Sequence, residues 1–163
     1  MPVCRPFRND EGISVADGRW LDDNARPALV TPGQQSPLGV TLSLSRRSEL
    51  LAWAQRQNGW IIEDDYLGEL QLNERAAPAL AAEQVWCIGT FSKTLSPALR
   101  IGYLVVPDAQ AERFAETVAL LAPASSPVLH STVAEFLHEG HFLRHLRRMK
   151  RLYAERLAEL YRF

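Results

Sequence analysis

The chain has 163 residues, 47% hydrophobic and 23% charged, an ordinary globular composition with length for one core or two at most. Lys and Arg total 18 against 19 acidic residues, so a formal net charge of −1 provides no overall field to draw it onto nucleic acid or membrane. Cys4 and Cys87 have no metal-type spacing, and no secretory leader or membrane-spanning apolar run is evident, so the expectation is a soluble protein of the reducing cytoplasm.

In chain order, residues 1–26 mix charges, Gly and Pro without periodicity and are expected as an irregular lead-in. The runs Ala28-Leu29-Val30-Thr31 and Trp60-Ile61-Ile62 read as short buried strands, stopped by Pro32-Gly33 and by Glu63-Asp64-Asp65. Between them Leu44, Leu50, Leu51, Trp53 and Ala54 recur at helical spacing, and Asn58-Gly59 supplies a left-handed stop. That makes a β-α-β unit. Val85 to Ile88 and Ile101 to Val106 predict two more strands, joined by a loop that holds Thr90, Ser92, Lys93, Pro97 and Arg100.

Past Pro107 the pattern turns helical, first from Asp108 to about Leu121, then from Ser126-Pro127 to a stop near Gly140. Phe142, Leu146, Met149, Tyr153, Leu157 and Leu160 form the apolar stripe of a last helix, whose remaining surface is mostly arginine. The expected architecture is α/β, a largely parallel sheet flanked by helices. Residues 27–140 form its main body and 141–163 a long amphipathic helix. The stripe is still running at Phe163, which reads as a fragment cut from a larger protein, with the helix leading toward a further small domain.

The chemistry-bearing residues are a strand ending in Asp64-Asp65-Tyr66 and a later loop with Thr90-Phe91-Ser92-Lys93. In open α/β sheets ligands bind beyond the carboxyl ends of the strands, where both clusters fall. A lysine beside hydroxyls and an arginine suits imine chemistry on a phosphorylated cofactor, and partial burial near positive charge would favour its reactive neutral amine. Arg100 can grip a phosphate with two parallel hydrogen bonds, and Thr90 and Ser92 can complete the cradle.

Blander readings stand beside these. Glu63-Asp64-Asp65 with Glu69 is also a possible divalent-metal cluster or a plain acidic strand exit. His138, His141 and His145 lack a third ligand type, so no metal is assigned. The arginines from Arg144 to Arg151 read as a solvated helix face rather than a phosphate-backbone contact.

Three stretches together resemble successive motifs of class I/II aminotransferases, which are fold-type-I pyridoxal 5'-phosphate (PLP) proteins. They are Thr31-Pro32-Gly33-Gln34-Gln35-Ser36-Pro37-Leu38-Gly39, Trp60 to Tyr66, and Gly89 to Tyr103. The likeness is greatest to the aminotransferase-like domain of MocR-type regulators in the GntR superfamily, and Gly140 to Met149 also looks like that subfamily. The resemblance implies part of the large PLP-binding domain and amino-group transfer. Lys93 would hold PLP as a Schiff base, Asp64 would pair with the pyridine nitrogen and Tyr66 with the phenolic oxygen.

It further implies phosphate contacts from Thr90 and Arg100, and Ser92 matches the small hydroxyl residue the family usually has directly before the lysine, a cofactor-binding position. Ser36 stands where many aminotransferases carry a cofactor-contacting Asn, so its shorter side chain departs from the pattern. The partners implied are an amino acid or amine and a second copy of the chain, since sites of this family lie at a dimer interface. The phosphate loop, the stacking aromatic, the carboxylate-clamping arginine and a winged-helix DNA reader are expected to lie outside these residues. The alternative to amino-group transfer is a PLP- and amine-sensing effector module of a MocR-type transcriptional regulator.

Overall fold

The computed structural model describes residues 8–35, 38–72, 79–80, 82–122 and 126–162. Strands β1 (Arg8–Asn9) and β2 (Gly12–Ile13) form a small antiparallel hairpin. Helix α1 (Val15–Leu21) follows, begun by Ser14, whose Oγ accepts from the Asp17 amide at 3.3 Å. Between residues 8 and 21 the irregular lead-in is therefore corrected. Seven helical residues are too few to show a period, but Ile13 and Val15 join the main core and hold the segment in place.

The central sheet has the order β3 (Pro27–Val30), β4 (Trp60–Asp64), β5 (Val85–Thr90), β6 (Gly102–Val105). β3, β4 and β5 run parallel, and β6 is antiparallel to β5. The antiparallel edge follows from the short β5–β6 connection, because a parallel return needs a longer crossover, usually a helix. The largely parallel sheet expected from the sequence is present.

Helix α2 (Leu44–Gln57) covers one face, and its Leu50, Trp53 and Ala54 pack with Val30, Ile61 and Val85 into the first core. Ser43 caps its start by accepting from the Arg46 amide at 3.2 Å. Asn58 ends it in the left-handed region at φ 47°. Gly59 has a different job: a Cβ there would lie 2.6 Å from the Arg26 carbonyl oxygen, where β4 enters beside β3. On the opposite face Trp60 stacks on Trp86 at 4.8 Å. Trp86 meets Phe114 of helix α3 (Asp108–Leu121) edge-on at 4.9 Å and donates its indole N–H to Gln110.

Helices α4 (Pro127–His138) and α5 (His141–Leu160) build a second core with the loop after β5, in which Phe91, Ile101, Val133, Phe142 and Leu146 are buried. The apolar stripe of α5 thus finds a partner at its beginning. Further along, Met149, Tyr153 and Leu157 are half-buried and Leu160 is exposed. Among the described residues no helix is long and apolar enough to cross a membrane.

This packing predicts a sharp contrast between two truncations. Ile61 is fully buried, so Ile61→Ala should cost about 2–5 kcal/mol of unfolding free energy in urea titrations. Leu120 is 85% exposed on α3, so Leu120→Ala should stay within about 0.5 kcal/mol of the unsubstituted chain. Equal losses would show that the two positions have been placed wrongly.

Candidate functional site

Because β3, β4 and β5 run the same way, the segments after them leave from one edge of the sheet. After β3 comes the Thr31–Gly39 turn, held at Gly33, whose carbonyl oxygen accepts from Thr41 Oγ1 at 3.1 Å and from Gln71 Nε2 at 3.0 Å. A bridge between Gln35 and Val40 closes it. Ser36 lies outside the described residues. After β4, Asp65 folds back so tightly that a Cβ on buried Gly68 would run into its carboxylate.

Thr31, Gln34, Asp64, Asp65 and Tyr66 line one open hollow of about 150 Å³. The hollow is shallow and open to solvent, so these walls make part of a site rather than an enclosed one.

The third segment is the β5–β6 loop. The Thr90 hydroxyl accepts from the Ser92 amide at 3.1 Å and lies 3.0 Å from the Ser92 hydroxyl oxygen, to which it donates. The Leu95 amide bonds the Phe91 carbonyl at 2.8 Å, making residues 91–95 a helical turn. Phe91 and Thr94 face inward and are buried, which leaves Lys93 on the outer side, exposed. The partial burial expected for Lys93 is therefore corrected: the inward positions of its turn are taken by its neighbours. Arg100 closes the loop at φ 53°, a left-handed conformation costly for a residue with a side chain, and is also exposed.

The edge is rich in carboxylates. Glu63 is buried and accepts from the Leu80 amide at 2.8 Å; burial raises its pKa, that hydrogen bond opposes the rise, Asp65 adds to it and Arg47 opposes it. Asp64 is also raised, first by burial and then by the negative charge of Asp65. Glu69 follows the same pattern, partly offset by Lys150. Burial lowers the pKa of Arg47 on α2, against the pull of Glu63 and Asp65. Cys87 on β5 is pushed up to about 11 by burial and the same carboxylates, which makes it an unreactive thiol.

The structure thus brings Asp64 and Tyr66 into one hollow and bonds Thr90 to Ser92. It places Lys93 and Arg100 on the adjoining loop, outside the lining of that hollow. Sequence reasoning missed Asp65 as the charge acting on both Asp64 and Glu63, and Gln71 as the clamp on Gly33. The doublet Asp64-Asp65 hinted at the first. Nothing local marked Gln71, whose partner is 38 residues away.

The model of the aminotransferase class I and II family matches residues 10–162. The chain belongs to this family. Among curated relatives, the probable rhizopine catabolism regulatory protein MocR of Rhizobium meliloti is 43% identical over 86% of this chain and 30% of its own length. The HTH-type transcriptional regulator YhdI of Bacillus subtilis is 37% identical over 98% of this chain and 34% of its own. Of solved structures, the α-aminoadipate aminotransferase LysN of Thermus thermophilus, in complex with N-(5'-phosphopyridoxyl)-L-leucine, aligns with a TM-score of 0.79 at 26% identity. That alignment spans 92% of this chain and 41% of LysN. The chain therefore spans about a third of the length of the curated relatives it matches.

The residues present fit the cofactor of this aminotransferase family. Among the described residues no side-chain donor or cation pairs with the Asp64 carboxylate, which burial and Asp65 leave in want of positive charge. A protonated ring nitrogen is such a partner. Two hydroxyls, an arginine and a primary amine within one loop suit a phosphate and a carbonyl carbon.

The carboxylates give a pH test. A glutamate whose folded pKa is raised adds stability that is complete below its unfolded pKa and is lost as pH rises through the folded value. For Glu63 this loss begins above 4.5, the ordinary glutamate value. Glu63→Gln keeps an oxygen for the Leu80 amide and removes the titration. The fall in unfolding free energy between about pH 5 and about pH 8 should be shallower in this variant. Parallel profiles would remove Glu63 as its cause.

Proposed function

We propose that this chain is the PLP-binding part of an aminotransferase-like protein, with Lys93 as the covalent attachment point. The observation that carries the reading is the common edge: on the β4 exit a half-buried carboxylate with no cation paired to it among the described residues, and on the β5 exit an amine, two hydroxyls and an arginine. When bound, PLP supplies an electron sink for charge developing at the carbon beside an amine.

The chain's own residues do the rest. The Lys93 amine holds the cofactor and, once an amino acid takes its place, carries the proton to and from that carbon. Asp64 keeps the ring nitrogen protonated, and Tyr66 donates to the phenolic oxygen. Thr90, Ser92 and Arg100 hold the phosphate, and Ser36 is read as a further cofactor contact. This arrangement suits amino-group transfer with an amino acid or amine as the small-molecule partner.

The regulatory names of MocR and YhdI favour a second reading, in which capture of PLP and an amine serves as a signal in a transcriptional regulator. Turnover separates the two, because a coupled transaminase assay detects product only if the site turns over. The same reading places the chain in the cytoplasm as a self-associating protein. Exposed Leu120, Leu121 and Val128 support association, which light scattering checks against a monomer.

Borohydride reduction after PLP addition, followed by peptide mapping, tests the attachment. Label should map to Lys93 rather than to Lys150, the only other lysine, which sits on α5. Arg100→Ala should weaken PLP binding roughly 10- to 150-fold, the worth of one charge-assisted hydrogen bond. Label on Lys150 alone would refute the assignment.

A further inference from the structure

Helix α5 reaches the Lys93 loop through a contact that the cofactor chemistry does not use. His145 Nε2 lies 2.8 Å from the carbonyl oxygen of Thr94, across 51 residues of sequence. A carbonyl oxygen only accepts, so Nε2 carries a proton and donates. Thr94 directly follows Lys93. Its side chain is buried, and its hydroxyl has no hydrogen-bond partner among the described residues, so its polar attachment to α5 runs through the backbone carbonyl.

The surroundings make this bond a fixed one. Phe142, one turn before His145, and Leu146, next to it, are buried against Phe91 and Ile101. The Phe91 and Phe142 rings meet edge-on at 5.7 Å. His145 itself is half-buried, so its bond sits at the rim of an apolar contact that keeps water from one side. Within the loop, the amides of Leu95 and Ser96 both bond the Phe91 carbonyl, so the turn moves as a unit. Holding the Thr94 carbonyl therefore sets the backbone direction from which the neighbouring lysine side chain departs.

We infer that His145 is a positioning residue for Lys93, tying the turn that carries the lysine to helix α5. Its consequence for cofactor capture rests on the proposed attachment at Lys93; the tether itself does not. The side chains of Gln and Asn separate reach from polarity. Gln can present an N–H where the histidine has Nε2, whereas Asn extends only as far as the ring Nδ1.

The test uses the full chain with His145→Gln and His145→Asn. Amide hydrogen exchange without PLP reads the tether, and the rate of borohydride-fixed PLP label at Lys93 reads its consequence. His145→Asn should speed exchange of the 92–96 amides roughly three- to tenfold and slow labelling by a similar factor, while His145→Gln stays within about twofold of the unsubstituted chain. The β4 amides serve as an internal reference and should not change.

Wild-type exchange in His145→Asn, a Gln variant no better than Asn, or equal acceleration in β4 would each overturn the inference. Faster loop exchange in His145→Asn, restored in Gln, with no label at Lys93 even in the unsubstituted chain would support the tether and refute the cofactor reading instead.

Discussion

Parallel pairing of β3, β4 and β5, with Ile61 locked in the core, is the constraint on which the rest of this structure depends. Side chains alternate across a strand, so the burial of Ile61 against Leu50, Trp53 and Ala54 also decides that Glu63 faces inward and Asp64 the other way. A slip of one residue would send Asp64 into the core beside α2 and expose Ile61. The apolar packing thus turns Glu63 inward and leaves Asp64 and Asp65 at the hollow. Parallel direction then brings the β3 and β5 exits to the same edge, so residues far apart in sequence can act on one ligand.

That edge gathers negative charge. Glu63, Asp64 and Glu69 are all raised in pKa, each by burial first and by Asp65 as well. The buried cation Arg47 lies on the α2 side and acts on Glu63 and Asp65, so it does not answer Asp64. The proposed cofactor carries positive charge at one end and phosphate at the other. Exposed Arg100 and the half-buried Thr90 and Ser92 hydroxyls are the groups proposed to meet the second end. The left-handed Arg100 is a local backbone cost at the end of that loop.

Much of this was legible in the sequence because it rests on local signals. Asn58 and the apolar spacing of Leu44, Leu50, Trp53 and Ala54 mark α2 within a residue, and the Pro107 and Ser126-Pro127 boundaries mark α3 and α4. Lys93, Thr90 and Arg100 share one loop, so their grouping needs no tertiary knowledge. What was not legible depends on contacts distant in sequence. Helix α1 is too short to show a period and is held by the core rather than by its own pattern. The exposure of Lys93 follows from Phe91 and Thr94 turning inward onto α5. The Gln71 clamp and the His145 bond join segments 38 and 51 residues apart.

The most direct test of the common-edge account is to map where PLP touches the chain by amide chemical shifts as the cofactor is titrated in. The account predicts shifts concentrated at Thr31–Gln34, Asp64–Tyr66 and Thr90–Arg100, the segments that follow the parallel strands. Shifts confined to the basic surface of α5 or to the opposite, amino-terminal edge of the sheet around Trp60 and Val85 would contradict it.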